Sequence, residues 1–422
     1  MDSSITPAYK NVEIITIGDE IINGQIVDSN SAWIASFLNR SGFEVDKITS
    51  VPDDAQAIFR AVDSALGSSP IVLLTGGLGP TKDDITKHCL CSYFKTKLVF
   101  NQAVYDNMTG LFNKRGLRTI NDFNRSQAEV PEACTVIVNR RGTAPVTWFE
   151  REGKILVSMP GVPLEMMWCM EKEIMPRLLN KVQSHPILQR YIWVKGYPEA
   201  VLAEFISDWE DALPPELKLA YLPQRSVMLL RLTAKNNDET TLIGLLETQL
   251  AGLRSRLGSA IFAEGVKTLE EALGQVLIKK GLKLALAESC TGGAVGARLT
   301  RAPGSSAYFL GGIISYANEL KQQWLGVPET LLQTKGAVSK EVAEAMAAGA
   351  RIKLKSDIGI ALSGIAGPTG GSAEKPVGTV FIALADNDRC LSRKFEFQSD
   401  RLGNIEQSVH QALILLLDYL YL

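Results

Sequence analysis

Short runs of apolar residues alternate along the chain with stretches that follow a helical period. Residues 12–17, 71–74 and 155–159 are mostly apolar runs of strand length, whereas 31–39 and 55–66 place apolar side chains on one helix face. Near the end of the chain the same criteria predict strands at 282–287, 310–316, 358–362 and 379–384 and helices at 268–280 and 405–420. Buried strands that alternate with helices predict a parallel-sheet α/β domain at each end.

The middle of the chain follows a different order and separates these two domains. A polar stretch through His185 and Pro186 ends the first block, and residues 190–262 predict strand, helix, strand, strand, helix. We therefore predict an α/β domain over 1–185, a small α+β module over 186–264 and a second α/β domain over 265–422. The length of 422 residues suits about three domains.

Composition narrows the classes of partner and cofactor. Lys and Arg total 44 and Asp and Glu total 46, so the net charge of -2 gives no broad field that attracts nucleic acid or anionic lipid. No apolar run approaches the roughly 20 residues that cross a bilayer, and the N-terminus does not resemble a signal peptide, so we expect a cytoplasmic protein without a membrane partner. Six scattered cysteines predict reduced thiols, and three distant histidines leave carboxylates as the ligands of any metal.

Two glycine-rich loops each follow a predicted strand. Glycines at the carboxyl end of a strand let backbone N–H groups face an anion, so both loops are candidate phosphate sites. For a single loop the alternative is a tight turn that needs glycine only for a positive φ, and the presence of two loops favours nucleotides. The candidate contacts are Thr75, Gly76, Gly77 and Gly79 in the first loop and Ser363, Gly364 and Gly367 in the second.

Ser289 is a candidate nucleophile at a third turn from strand to helix. The backbone amides from Cys290 to Gly293 that follow it can face an oxyanion or a phosphate, because the N–H groups at a helix start have no partner within the helix. Two alternatives stay open. Ser289 can serve only as a helix N-cap, or the thiol of Cys290 can be the nucleophile.

Lys321 is the candidate base, because the histidines do not permit a Ser/His/Asp arrangement. It follows the predicted strand 310–316 and an expected N-cap at Asn318, in the first turn of a helix. A lysine accepts a proton only when neutral, and a helix N-terminus favours the neutral form by only ~1 kcal/mol. Burial must supply the rest, so we predict that Lys321 is buried. The alternative is an exposed lysine on an amphipathic helix, and the hydroxyl of Tyr316 is expected to relay a proton or to position the lysine.

Ordered motifs over residues 268–420 resemble the C-terminal domain of the CinA family, which includes nicotinamide mononucleotide (NMN) deamidases. The motifs are ESCTGG at 288–293, YANELK at 316–321, GAVS at 336–339, SGIAGP at 363–368 and KPVGTV at 375–380. The resemblance implies hydrolysis of NMN to nicotinic acid mononucleotide and ammonia without a cofactor, with Ser289 as nucleophile, Lys321 as base and Tyr316 as a nearby hydroxyl. The substrate contacts would be Thr291, Gly292, Gly293, Asn318, Ser363, Gly364, Gly367 and, on the phosphate side, Arg401.

Asp83 and Asp84 follow the first glycine loop directly, and Glu20 and Asp53 lie in other loops that follow strand-like runs. Acids beside a phosphate loop can bridge a hard cation to a pyrophosphate, so these four are candidate metal ligands. For each of them the alternative is an ordinary loop acid or a helix cap.

The first block also resembles the N-terminal domain of CinA, which is similar to the molybdopterin-binding MoaB/Mog fold. The motifs are GDE at 18–20, GQIVDSN at 24–30, TGGLGPT at 75–81 with the acids that follow, and MPGVP at 159–163. This implies an ADP-ribose pyrophosphatase that uses Mg, Mn or Co ions and gives AMP and ribose 5-phosphate, with Asp84 in a catalytic position.

The middle module resembles the KH-type domain of CinA but lacks the G-x-x-G clamp of RNA-binding KH domains. The expected partners are therefore small-molecule nucleotides, NMN and ADP-ribose, and no nucleic acid. The apolar terminal helix at 413–422 suggests a homodimer. The competing hypothesis is a nucleotide- or pterin-binding regulatory protein whose N-terminal domain is catalytically inactive.

Overall fold

The structure, a computed structural model, describes residues 10–81, 83–114, 116, 122–182, 187–235 and 238–421. The predicted boundary near residue 185 lies outside these ranges. The chain divides into two compact units, one formed by Met1–Leu188 with Ala234–Ile243 and the other by Gln189–Thr233 with Gly244–Leu422. Within the described ranges, none of the helices combines the length and the apolar character that a membrane crossing requires.

The N-terminal block folds as an α/β domain. Its strands are β1 (Asn11–Ile17), β2 (Glu44–Val51), β3 (Ile71–Thr75), β4 (Leu98–Phe100), β5 (Glu129–Pro131), β6 (Thr135–Ile137), β7 (Val146–Arg151) and β8 (Lys154–Met159). Its helices are α1 (Asp19–Ile22), α2 (Ser29–Arg40), α3 (Ala55–Ser68), α4 (Thr86–Phe94), α5 (Gln102–Lys114), α6 (Asp122–Ser126), α7 (Pro163–Cys169) and α8 (Met175–Lys181), with a π-helical turn, Met170–Ile174, between the last two.

Six of these strands form one mixed sheet in the order β2-β1-β3-β8-β7-β6. The first four are parallel, and β7 and β6 run antiparallel. The residues of β3 are all buried, as expected for a strand covered by helices on both faces. Because parallel strands bring their carboxyl ends to one edge, the loops after β1, β2, β3 and β8 meet there.

The rest of the chain forms the middle module and the C-terminal domain. The strands are β9 (Ile187–Lys195), β10 (Leu217–Gln224), β11 (Val227–Lys235), β12 (Ile261–Glu264), β13 (Leu284–Glu288), β14 (Phe309–Ile314), β15 (Ile358–Gly364), β16 (Thr379–Ala385) and β17 (Cys390–Glu396). The helices are α9 (Glu199–Asp211), α10 (Glu239–Leu257), α11 (Leu269–Lys280), α12 (Ala294–Leu299), α13 (Asn318–Leu325), α14 (Glu329–Lys335), α15 (Lys340–Leu354) and α16 (Arg401–Leu420).

The C-terminal sheet has the order β14-β13-β15-β16-β17, and the middle module has its own sheet, β10-β11-β9-β12. Strands β14, β13 and β15 are parallel, and β16 and β17 are antiparallel. The turn that follows β13 therefore lies between the segments that follow β14 and β15. Trp193 and Phe262 of the middle module belong to the same hydrophobic cluster as Leu273 and Leu286 of the C-terminal domain.

The predicted fold class is confirmed, with local differences. The middle module shows the predicted order of elements and adds β12. The sequence pattern missed β2, because half of its side chains are exposed, only one is buried and it lacks an apolar run. Residues 412–417 of α16 are buried within the same chain, so this helix does not present the apolar surface from which we predicted a homodimer. A homodimer remains a prediction, but the apolar surface of α16 no longer supports it.

Candidate functional sites

Ser289 lies directly after β13, at the centre of the carboxyl edge of the C-terminal sheet. Its backbone N–H donates to the carbonyl oxygen of Leu362 in β15 at 3.1 Å, which ties the turn to the neighbouring strand. The residue is 8% exposed. Helix α12 begins at Ala294 with Gly293 as its N-cap, so Ser289 is not the cap of that helix. Its hydroxyl is available for other contacts.

The amine of Lys321 lies beside the Ser289 hydroxyl and is the candidate base for it. Lys321 lies in α13, is 1% exposed, and its Nζ is 3.3 Å from Ser289 Oγ. The same nitrogen donates to the carbonyl oxygens of Ser315 at 2.8 Å and Tyr316 at 3.1 Å. A neutral amine has two N–H groups and one lone pair. With both N–H groups on the two carbonyls, the lone pair is left for the Ser289 hydroxyl.

Burial lowers the pKa of Lys321, and weaker interactions with Cys290 and Glu319 act in the opposite direction. Desolvation is therefore the main cause, as the sequence argument required. Burial also raises the pKa of the Cys290 thiol to about 12. Cys290 thus stays protonated near neutral pH, which argues against it as the nucleophile.

Glu288 accepts hydrogen bonds from the turn that follows Ser289, and this determines which backbone amides of the turn are free to bind an oxyanion. Its carboxylate accepts the N–H of Gly293 at 3.0 Å, and the N–H of Gly292 donates to the Ser289 carbonyl oxygen at 3.1 Å. This corrects the prediction that Gly292 and Gly293 supply oxyanion donors, because both N–H groups already have acceptors. In the described part of the chain, the amides of Cys290 and Thr291 have none. The Thr291 hydroxyl also donates to Glu288, at 2.7 Å.

Tyr316 and Arg401 lie at the exposed side of this site. Tyr316 is 61% exposed, and its phenol oxygen accepts a hydrogen bond from Arg401 Nη2 at 3.3 Å. It therefore contacts Lys321 through its backbone carbonyl, and among the described residues its hydroxyl makes no hydrogen bond to Lys321 or Ser289. Arg401 Nη1 donates to the carbonyl oxygen of Gly367 at 2.6 Å. Asn318 is exposed and is the first residue of α13, whose N-cap is Ala317.

The second glycine loop borders the same edge. The buried Ser363 donates its hydroxyl to the carbonyl oxygen of Ala337 at 2.6 Å, so it joins this loop to the 336–339 motif. A side chain at Gly364 would lie 2.7 Å from the Thr379 carbonyl oxygen, which explains the glycine. Asn404 donates to the Ala366 carbonyl oxygen at 3.0 Å and so ties the loop to α16, near Arg401.

The N-terminal domain has a second candidate site, a cavity of about 420 Å³ at the carboxyl edge of its sheet. Gly76 has φ +109°, and a Cβ there would overlap the Ile17 carbonyl oxygen, so only glycine fits. The N–H of Gly76 donates to Met159 O at 3.3 Å, and the buried Thr75 donates its hydroxyl to Pro160 O at 3.0 Å. Within the described ranges the amides of Gly77 and Leu78 have no acceptor, which leaves two donors for an anion.

The carboxylate of Asp84 holds the first glycine loop in its conformation. Its two carboxylate oxygens accept the N–H groups of Gly79 at 2.7 Å and Thr81 at 2.9 Å, and the Thr81 hydroxyl also contacts it. A Cβ on Gly79 would overlap the same carboxylate. Asp84 thus stabilises the loop and also lines the cavity, and its metal-binding and catalytic roles stay predictions.

Asp53 is the centre of negative charge in the cavity. Its carboxylate accepts the N–H of Asp19 at 3.1 Å, and its pKa is raised by burial and by the charges of Asp19, Glu20 and Asp83. Among the described residues no three acidic, His or Cys side chains form a ready metal cluster. Mg²⁺ nevertheless needs only one or two carboxylates, because water and substrate phosphates complete its coordination. Asp53 with Glu20 or Asp83 fits that requirement, since like charges there favour a cation.

Sequence reasoning missed two residues that the structure places in the sites. Glu288 stands in the ESCTGG motif, but the sequence does not show that its side chain turns back onto the turn that follows it. Asn30, in α2, donates to Gly161 O at 2.7 Å and to Thr75 Oγ1 at 3.2 Å, while its buried Oδ1 has no partner among the described residues. A buried acceptor without a partner beside a cavity indicates a contact to a ligand. Its signal in the sequence was its place at the end of the GQIVDSN motif, which supports the family resemblance but does not show which side chain faces a ligand.

Three families match this sequence in chain order. They are the Probable molybdopterin binding domain over residues 13–180, the Damage-inducible protein CinA KH domain over 189–263 and the CinA C-terminal domain over 266–420. A CinA-like protein of Cytophaga hutchinsonii is 43% identical over 396 residues, which cover 94% of each chain. One of Flavobacterium psychrophilum is 42% identical over 401 residues, covering 95% of this chain and 96% of its own. The crystal structure of the protein CinA from Thermoplasma acidophilum, described as of unknown function, is 32% identical and covers 42% of this chain and 99% of its own, with a TM-score of 0.37.

Proposed function

The chain belongs to the CinA family, and we propose that its C-terminal domain is an amidase that converts NMN to nicotinic acid mononucleotide and ammonia. The observation that carries the proposal is the 3.3 Å distance between Lys321 Nζ and Ser289 Oγ, with the lysine 1% exposed. Burial of the amine favours its neutral form, and only that form removes a proton from a hydroxyl.

The reaction proceeds by acyl transfer in two stages. Lys321 accepts the Ser289 proton while Oγ attacks the carboxamide carbon, and the C–N bond then breaks as the lysine returns that proton to the departing nitrogen, which leaves as ammonia. A water molecule next attacks the ester carbonyl carbon, with Lys321 again accepting a proton. The bond between Oγ and the acyl carbon breaks, Ser289 recovers its proton from the lysine, and the carboxylic acid that is released loses its proton to water.

We assign the oxyanion donors to the amides of Cys290 and Thr291. These are the amides of the turn that have no acceptor in the described part of the chain, and the first belongs to the residue directly after the nucleophile. Such donors stabilise the charge that develops on the carbonyl oxygen in the transition state. Arg401, next to Tyr316 and Gly367, is the cation that contacts the substrate phosphate.

Product identification tests this function. Purified protein incubated with NMN is expected to release ammonia and nicotinic acid mononucleotide in equal amounts, and Ser289→Ala is expected to release neither. The matched control is Ser392→Ala, because Ser392 is a serine of the same domain whose hydroxyl bonds Glu344 at 2.6 Å. Wild-type ammonia release from Ser289→Ala would exclude Ser289 as the nucleophile.

For the N-terminal domain the proposed activity is hydrolysis of ADP-ribose to AMP and ribose 5-phosphate. The cavity offers the amides of Gly77 and Leu78 to a phosphate and places Asp53, Glu20 and Asp83 around it. A divalent ion, Mg, Mn or Co, on these carboxylates would neutralise charge on the pyrophosphate when bound. Asn30 Oδ1 is placed to accept a hydrogen bond from a hydroxyl or amino group of the ligand.

Hydrolysis of ADP-ribose with each of the three metals tests this second activity. Asp53→Asn is expected to lower the rate at least tenfold, and Asp63→Asn, an acid of the same domain that binds Tyr93, is expected to leave it unchanged. A protein that binds ADP-ribose or a pterin, as a rise in melting temperature shows, but cleaves nothing with any metal would support the regulatory alternative instead. The absence of nucleic-acid partners stays a prediction from the balanced charge, and the cytoplasmic location also stays a prediction.

A further inference from the structure

Glu288 binds four donors of the turn that carries the nucleophile. Its Oε2 accepts the Thr291 hydroxyl at 2.7 Å and the N–H groups of Gly293 at 3.0 Å and Val295 at 3.1 Å. Its Oε1 accepts the N–H of Gly296 at 2.9 Å. The residue is 2% exposed, so these bonds are shielded from water. Every one of the four donors lies within eight residues of Glu288, on the turn or on the first turn of α12.

We propose that Glu288 is the positioning residue of the amidase site, which selects the amides that face the oxyanion. Because its carboxylate takes the amides of Gly293, Val295 and Gly296, the N–H groups of Cys290 and Thr291 remain beside Ser289. The inference rests on the proposed amidase function. Glu288 does not touch the substrate. It acts through the backbone of the turn.

The main chain of Glu288 connects the same turn to the base. Its carbonyl oxygen accepts the N–H of Ser315 at 2.8 Å, and the carbonyl oxygen of Ser315 accepts Lys321 Nζ at 2.8 Å. One residue thus sets the position of the nucleophile turn with its side chain and the position of the base with its backbone. A substitution of the side chain leaves the second connection intact, so the two effects can be separated.

Glu288→Gln is the decisive variant, because a carboxamide has the shape of the carboxylate but only one acceptor oxygen. All four groups around Glu288 donate, so the new NH₂ must face at least one donor, and with the oxygen kept at the Oε2 position that donor is the N–H of Gly296. The three remaining bonds lose their charge-assisted character. We expect kcat for NMN to fall tenfold or more while KM changes less than twofold, since oxyanion donors act in the transition state.

Glu270→Gln is the matched control. Glu270 is 4% exposed, lies on α11 of the same domain and bonds Arg298 at 3.0 Å, away from Ser289. If Glu288 served only stability, both variants would lower the melting temperature and neither would lower kcat. Thr291→Val provides a milder perturbation, because it removes one of the four donors. It is expected to lower kcat several-fold, and it takes over the test if Glu288→Gln does not fold.

Covalent labelling of Ser289 by phenylmethylsulfonyl fluoride gives a readout that does not depend on NMN. In this reaction Oγ forms a bond to sulfur, the S–F bond breaks, fluoride leaves and the proton passes to Lys321. We expect Glu288→Gln to be labelled at least tenfold more slowly than wild type and than Glu270→Gln, as measured by intact mass. Equal labelling rates in all three proteins would overturn the positioning role.

Failure of the proposed amidase function and failure of the positioning role of Glu288 give different results. Wild-type protein that is labelled at Ser289 but releases no ammonia from NMN would refute the proposed substrate. The labelling rates of the variants would then still test the role of Glu288. Wild-type protein that releases ammonia while Glu288→Gln keeps both kcat and its labelling rate would refute the role of Glu288 alone. Wild-type protein that is neither labelled nor active would overturn both, since both require an activated Ser289.

Discussion

Replacing Lys321 by methionine removes the proposed base and keeps most of the volume of the side chain. The substitution deletes the nitrogen that lies 3.3 Å from Ser289 Oγ and that donates to the carbonyl oxygens of Ser315 and Tyr316. Because Lys321 is 1% exposed, water has little access to take its place. The serine then keeps its proton, and the nucleophile is lost.

The expected loss follows from the function of a positioned base. General base catalysis contributes about 10²–10⁴ in rate, which corresponds to about 3–5 kcal/mol of transition-state stabilisation. We therefore expect kcat of Lys321→Met to fall by at least 10²-fold. Substrate binding should persist, because Arg401 and the loop that begins at Ser363 are unchanged, so NMN should still raise the melting temperature of the variant.

Lys87→Met is the matched control for this experiment. Lys87 is also a buried lysine whose Nζ donates to two backbone carbonyls, Ser126 O at 2.9 Å and Glu129 O at 3.2 Å, but it lies in the N-terminal domain. The assay measures ammonia release and the thermal shift with NMN for both variants. Amidase activity should survive in Lys87→Met. If Lys321→Met kept more than a tenth of wild-type kcat, Lys321 would not be the base.

Two further predictions concern pH and the glycine loop. The pKa of Lys321 is lowered in the folded protein, so the folded state binds fewer protons than the unfolded state between the two pKa values. Amidase activity should therefore decline as pH falls through the pKa of Lys321 in the folded protein. The contribution of Lys321 to the free energy of unfolding should rise with pH up to the ordinary lysine range. A value of kcat/KM that does not fall on the acid side would contradict the activity prediction. Gly76→Ala should destabilise the N-terminal domain by about 2–4 kcal/mol, because the positive φ and the overlap of the new Cβ with Ile17 O both cost free energy. A loss under 1 kcal/mol in urea denaturation would refute the close approach of Gly76 to Ile17 O.

The sequence predicted the parts of the site that follow from chemistry and strand order. Ser289 and Lys321 follow adjacent parallel strands, so their meeting at one edge is predictable from the sequence. The burial of Lys321 was predictable as well, because a lysine cannot act as a base in water. Both inferences depend on local pattern and on general chemistry.

The direction of side chains and backbone amides was not predictable from the sequence. The carboxylate of Glu288 turns back onto its own turn, which moves the expected oxyanion donors from Gly292 and Gly293 to Cys290 and Thr291. Asp84 similarly faces the glycine loop that precedes it. Such contacts depend on rotamers and turn geometry that a pattern of residue types does not specify.

The proposed mechanism depends most directly on the charge of the Lys321 amine beside Ser289. Lysine labelled with ¹³C at Cε allows each amine to be titrated by NMR, and comparison with Lys321→Met identifies the resonance of Lys321. We expect this resonance to titrate below the ordinary lysine pKa of 10.5, as burial requires. A titration at or above 10.5 would show a protonated ammonium at the pH of the assay and would contradict the proposed mechanism.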